Sequence, residues 1–412
     1  MKDISKELLF KVIENKSIEA HYQPIVSIIK KSIVGFEGLC RGIYNEDFID
    51  PIPMFKRAYN EKLTTELDTI CREKVIEDFI EIYSKYEDML LFINIDGATL
   101  NNEIINSGFL IDIVNKYKLK PENIVFEIVE SKVNNVQALI KFIYTYRQYG
   151  FLIAFDNVGS GSSNIDRITM AQPDIIKIDK ELVKDIHTSV YGQEVFKSLV
   201  TLSKTIGAMV VAQGIETEED AIKAIELGAD MLQGYYFAHP HKLNMSMMKY
   251  FSQPVKRVAA NYSSYLAEKI SDEKAKYKEY GDIVKEVLNE ISELNETEFD
   301  SKLVELINKY KIFECIYILN PAGIQVTDTV TRYSGLTRHK KLIYKPAKRG
   351  EDHSLKKYYY FLKNMKVSKY FTEPYISLAT GKLCITMSCI FKNMENNKFI
   401  FCVDLNPINF RM

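Results

Sequence analysis

The chain has almost no surplus of either charge: Lys and Arg number 54 against 55 for Asp and Glu. So close a balance leaves no bulk field to draw it onto nucleic acid or an acidic membrane. The local exception, Arg338-His339-Lys340-Lys341 to Lys348-Arg349, reads as a solvated face. Cysteine is scarce, and the six present (Cys40, Cys71, Cys315, Cys384, Cys389, Cys402) form no CxxC pair and lie mostly in apolar runs. They read as buried free thiols of a reducing cytoplasm. No apolar run approaches the ~20 residues a membrane-spanning helix needs. The opening MKDISKELLFKVIENK is an amphipathic polar helix without a signal-peptide core. A cytoplasmic protein is expected, and 412 residues suit a barrel-sized unit plus a smaller one.

From about residue 18 to about residue 240, short apolar runs alternate with longer amphipathic stretches. The strand-like runs are HYQPIVSI, SIVGFEGL, MLLFINI, NIVFEIV, FLIAFD, DIIKID, AMVVAQ and a short one near MLQGYYF. Helical spacing is found in Thr64–Tyr83, Ile104–Tyr117, Val133–Tyr149, Lys180–Ile206 and Glu218–Leu227. This alternation fits a closed (β/α)₈ barrel better than an open sheet. The first two strands adjoin through a short IKK turn, which predicts an irregular, partly antiparallel start.

Beyond Pro254 the composition changes, giving expected boundaries of 1–254 for the barrel, 255–299 for a helical linker and 300–412 for a third segment. Within the linker, Tyr277, Tyr280, Val284, Val287, Ile291 and Leu294 recur in steps of three and four. That seam suits either pairing with a second subunit or packing against its own domain. The last segment mixes five short strand-like runs with a helix over Leu355–Met365, a small α+β domain. Tyr358–Tyr360 reads as core packing, and no Cys/His set marks haem, flavin or metal there.

The barrel strands end in polar residues: Glu37 in GFEGL, Asn94 in FINI, Glu127 in FEIVE, Asp156 in AFDN, Lys177 in IIKID, and Gln213 and Glu216 in VVAQGIE. In a barrel such tips converge on one mouth. One acid at a strand end reads equally as a helix N-cap. Several in succession, with a lysine, are accounted for more economically by a cation, because unpaired buried charge is costly. Carboxylates and an amide without His or Cys are hard oxygen donors that suit Mg²⁺ or Mn²⁺ over Zn²⁺.

These segments resemble the EAL domain, a barrel family that hydrolyses cyclic di-GMP to linear pGpG with Mg²⁺ or Mn²⁺. The likeness runs through HYQPIVSI, GFEGLCR, ELD at Glu66–Asp68, FIN, FEIVES, DNVGSGSSN, PDIIKID, AQGIET and QGYYFAHP, in the family's order. The end of the chain is similar to the EAL-associated signalling domain of PAS/Cache-like fold, through KKYYYFLK and TEPYISLATGK. The resemblance implies Glu37, Asn94, Glu127 and Asp156 as ligands of a first metal, with position 157 (here Asn157) belonging to a second. It implies Lys177, Gln213 and Glu216 around the attacking water and Glu130 as tether of the loop after Asp156. Gln23, Leu39, Arg41, Gln233 and Pro240 would line the nucleotide, Arg41 on a phosphate. It also implies a homodimer and a C-terminal domain that senses a small molecule or partner.

Four positions depart from the family's pattern: Asn157 and Gln213 replace carboxylates, Gly38 replaces alanine, and Asp96 replaces serine. The last two are expected to be mild. The amides remove charge on which divalent-ion affinity depends, so the first expectation is a cyclic di-GMP receptor with weak or absent hydrolysis. A working phosphodiesterase and a protein-binding scaffold are the alternatives.

Overall fold

The computed structural model describes residues 4–45, 47–97, 100, 108–129, 133, 135–160, 165–332 and 344–406. Its contacts divide the chain into two units, Met1–Ser264 and Tyr265–Met412.

The strands of the first unit are β1 Ile18–Ser27, β2 Ser32–Tyr44, β3 Asp47–Ile49, β4 Leu90–Ile95, β5 Ile124–Val129, β6 Leu152–Val158, β7 Ile175–Ile178, β8 Met209–Ala212 and β9 Met231–Leu232. They pair in the order β1-β9-β8-β7-β6-β5-β4-β2, and β1 also pairs with β2, which closes the ring; β3 hangs from β2. β1 is antiparallel to both neighbours, whereas β2 and β4 to β9 are parallel. The expected barrel with an irregular first strand is what forms.

Period-two alternation explains the layering. Leu91, Ile93, Ile124, Phe126, Ile153, Phe155, Ile176 and Val210 face outward into a core shared with the helices. Ile25, Phe92, Val125, Ala154, Ile175, Val211 and Met231 fill the barrel interior. Two residues after an interior apolar side chain, the same face of the strand carries a polar one. Thus Phe92 leads to Asn94, Val125 to Glu127, Ala154 to Asp156, Ile175 to Lys177, Val211 to Gln213 and Met231 to Gln233. On β1 the direction is reversed and Gln23 precedes Ile25. With Glu37 from β2, every strand of the ring sends at least one polar side chain into a single layer at the mouth.

Outside the ring, the helix Thr64–Tyr83 buries Leu67, Cys71, Val75, Phe79 and Ile82, and each such side chain contributes ~1.5–3 kcal/mol by leaving water. The expected single helix over Lys180–Ile206 is instead two, Lys180–Val183 and Val190–Thr205. Asp185 takes a left-handed turn between them, and the Ser189 hydroxyl caps the second by accepting from Gly192 N. The helix expected from Ile104 is described only over Phe109–Lys116.

A helix over Met245–Ser292 runs through Pro254, so that proline ends no element. Phe251, Val255, Val258 and Ala259 from its first part pack into the barrel's outer core. In the second unit, Tyr280, Val284, Val287 and Ile291 are buried with Leu303, Leu306, Ile316 and Phe401. The heptad-like seam therefore packs against its own domain. That unit holds an antiparallel sheet of β10 Phe313–Leu319, β11 Val330–Thr331, β12 Lys369–Phe371, β13 Tyr375–Ile376, β14 Leu383–Lys392 and β15 Lys398–Leu405. Its opposite face packs with the helix Lys357–Asn364, where Tyr358 and Tyr359 are core residues.

Candidate functional site: a polar layer at the barrel mouth

Lys177 stands at the centre of the layer. Its ammonium is fully buried and hydrogen-bonds Glu127, reaches Glu37 Oε2 at 3.1 Å and lies 3.8 Å from Asp156 Oδ1. Asn94 Nδ2 donates to Glu37 Oε1 at 3.0 Å. Gln233 Nε2 donates to Glu37 Oε2 at 2.6 Å and to Gln23 Oε1 at 3.0 Å, while Gln23 Nε2 donates to Ala238 O. Asp156 is held on both oxygens: Gln213 Nε2 donates to Oδ1 at 2.8 Å and Asn157 Nδ2 to Oδ2 at 2.9 Å.

Burial acts against every charge here. It pushes the Glu127 carboxyl well above its ordinary range; nearby Glu37 adds to the rise and Lys177 opposes it. Burial also raises Asp156 against the pull of Lys177. Burial would lift Glu37 too, but Lys177 and the bonds from Gln233 and Asn94 bring it below its ordinary value. For Lys177, burial favours loss of the proton, yet Glu127, Glu37 and Asp156 outweigh it and hold the ammonium above its usual value.

The expected site residues are thus largely brought together. Glu37, Asn94, Glu127, Asp156, Asn157, Lys177, Gln213, Gln233 and Gln23 form one connected layer. Glu216 is exposed at its rim, where a groove of about 200 Å³ is lined by Gln23, Glu37, Asn157, Gln213, Glu216 and Gln233. Leu39 lines a second groove of about 440 Å³ that also opens at Glu37 and Asn94. Arg41 turns its guanidinium to Cys40 O at 2.9 Å, and neither Arg41 nor Pro240 lines these grooves. Glu130 and most of the GSGSSN loop lie outside the described residues. Asp179, the other acid of PDIIKID, is a helix cap that accepts from Glu181 N.

Sequence reasoning gave no role to Arg72, which lines the larger groove beside Asp68. The two form a buried i,i+4 ion pair, and Arg72 Nε has no partner. Its signal was available: an arginine one turn beyond the aspartate of ELD, on the face that carries Leu67 and Cys71.

Two tests bear on a cation. Among the described residues no three His, Cys, Asp or Glu side chains are already gathered in ligating geometry, because Lys177 stands between the carboxylates. Against this, the buried oxygens Glu127 Oε2, Gln213 Oε1 and Gln233 Oε1 lack hydrogen-bond partners. Orphaned acceptors beside hard oxygen donors fit a divalent cation on Glu37, Asn94, Glu127 and Asp156, once side chains shift around Lys177.

Comparison with known proteins places this site in a family. YkuI, an EAL-domain protein of Bacillus subtilis, is 26% identical over 407 residues, covering 93% of either chain. Its crystal structure in complex with c-di-GMP and calcium superposes with a TM-score of 0.80 at 24% identity, covering 98% of this chain and 99% of that one. BlrP1 of Klebsiella pneumoniae, in a manganese/c-di-GMP complex, is 28% identical with a TM-score of 0.50 over 55% of this chain and 56% of its own. The probable cyclic di-GMP phosphodiesterase PdeB of Escherichia coli matches at 29% identity over 55% of this chain and 43% of its own. The EAL domain profile matches residues 5–240, and the chain belongs to the EAL domain family.

Proposed function

We propose that this protein binds cyclic di-GMP together with a divalent cation at the barrel mouth, and that it hydrolyses the dinucleotide slowly or not at all. The observation that carries this reading is the makeup of the polar layer. Glu37, Asn94, Glu127 and Asp156 are assembled around Lys177, while Asn157 and Gln213 bring amides where the family pattern has acids. Mg²⁺ or Mn²⁺ suits the donor set, and the relatives solved with calcium or manganese support a divalent ion.

Weakened activation of water typically lowers the rate by ~10²–10⁴-fold and leaves the grooves intact. Calorimetry with cyclic di-GMP and Ca²⁺ is expected to show binding; none up to high micromolar concentration sinks the reading. In Mn²⁺, Asn157→Asp with Gln213→Glu is expected to form pGpG much faster than the parent. Equal, rapid formation by both would favour the second reading, a working phosphodiesterase, which retention of Lys177 and Glu216 supports.

The roles of Gln23, Leu39 and Gln233 at the nucleotide, of Arg41 on a phosphate and of Glu130 as loop tether belong to the same proposal. So do a cytoplasmic homodimer and a PAS/Cache-like second unit that senses a small molecule. The sheet with helices on its faces and the absence of a long apolar helix among the described residues are compatible with them.

A further inference from the structure

Cys40 and Cys71 are the two cysteines of the first unit, and the fold sets them against each other. Cys40 lies on β2 between Leu39 and Arg41, and Cys71 lies in the helix Thr64–Tyr83. The Cys40 thiol donates to Cys71 O at 3.4 Å, and the two thiols hydrogen-bond each other. Both line the groove of about 440 Å³ that opens at Glu37 and Asn94. Cys40 is half-buried there, whereas Cys71 is buried.

The other four cysteines lie in the second unit in a different setting. Burial, and after it the Asp404 carboxylate, raises the thiols of Cys315, Cys384 and Cys402, and burial raises Cys389. A thiol held protonated in this way is a poor nucleophile. Cys71 is raised too, first by its bond with Cys40 and then by burial. It is therefore suited to resolve an oxidised neighbour, not to attack first. Cys40, open to the groove, is the thiol that a small oxidant reaches.

We infer that Cys40 and Cys71 form a dithiol modification site, closed to a disulfide by a peroxide and reopened by a dithiol reductant, and that the bridge weakens dinucleotide binding. The Cys40 thiolate attacks one oxygen of hydrogen peroxide; the O–O bond breaks, leaving Cys40 sulfenic acid and hydroxide. The Cys71 sulfur then attacks the Cys40 sulfur. Its proton leaves with the displaced hydroxyl as water, and the S–S bond forms. Two thiols are oxidised while one peroxide is reduced to two waters.

The bridge brings the sulfurs to ~2.05 Å, closer than a hydrogen-bonded pair. Two residues before Cys40, a Cβ on Gly38 would already sit 2.3 Å from Val75 Cγ1, so strand and helix have no slack there. The end of β2 has to move instead, and it carries Leu39 and Arg41 with it. This effect on the dinucleotide rests on the reading above.

Treating the reduced full chain with hydrogen peroxide, blocking the remaining thiols and mapping peptides without reductant tests the site. A Cys40–Cys71 linked peptide that dithiothreitol abolishes is expected, with Cys315, Cys384, Cys389 and Cys402 recovered as blocked free thiols. An unmodified Cys40 overturns the inference, as does Cys40 carried to sulfinic or sulfonic acid without a linked peptide. Calorimetry with cyclic di-GMP and Ca²⁺ should show roughly tenfold weaker binding after oxidation, the loss of one charge-assisted contact. Dithiothreitol should restore it, and Cys40→Ser should bind equally before and after peroxide. Equal affinity of the two parent forms overturns the claimed effect on binding. A linked peptide in a chain that binds no dinucleotide in either form defeats the broader reading and leaves the thiol site standing.

Discussion

Lys177 and Asp404 are both buried charges, and the fold meets them in different ways. Lys177 is surrounded by carboxylates, so its charge is compensated in place. Asp404, in the second unit, accepts from Thr386 Oγ1 at 2.6 Å, Ser377 Oγ at 2.8 Å and Cys315 Sγ at 3.1 Å, all neutral donors. Burial therefore raises its carboxyl above 3.8, with those bonds opposing the rise only in part. A raised acid binds its proton more tightly folded than unfolded. Its contribution to stability is complete below the unfolded value and is lost as pH rises through the folded one. Denaturant unfolding of the parent should lose stability as pH rises above 3.8 and through the raised value of Asp404, and Asp404→Asn should flatten that loss. An unchanged pH slope in the variant would assign the dependence to other groups.

At the scale of elements, alternation along β4 to β8 was legible, and with it the polar tips. The packing of helix on strand was not. Gly38 reads as a mild loss of a methyl group, yet a Cβ there would sit 2.3 Å from Val75 Cγ1 on the helix Thr64–Tyr83. That helix lies so close to β2 that the alanine of the family pattern has no room. Gly38→Ala should destabilise the barrel by ~1–3 kcal/mol through overpacking. Adding Val75→Ala should recover part of the loss, although Val75→Ala alone destabilises the parent; thermal melts of the four proteins give the coupling. Strict additivity would show that the contact is relieved elsewhere. Gly234 is tighter still, since a Cβ would meet the Ile215 backbone oxygen at 2.1 Å, where the chain beside Gln233 runs against Ile215. The break at Asp185 escaped the sequence reading because helical periodicity continues on both sides of it.

For the whole molecule, the barrel core and the core of the second unit are separate clusters of buried side chains. Calorimetry should resolve two unfolding transitions. Cyclic di-GMP with Ca²⁺ at about 100 times its Kd should stabilise the barrel transition by about 2.7 kcal/mol and leave the other in place. A single transition that moves as one would show that the cores are not energetically independent.

The amino-acid sequence by itself determined the barrel, its irregular first strand and the residue types at its mouth. Those follow from short-range periodicity and from where strands end. Only the tertiary structure decided what these residues do to one another. It brought Gln23 and Gln233, 210 positions apart, into one hydrogen bond, and it turned the amides of Asn157 and Gln213 onto the two oxygens of Asp156. It also chose packing over pairing for the linker seam. The physical reason is closure of the ring: strands distant in the chain become neighbours only then, and orientation of a donor toward an acceptor has no signature in spacing.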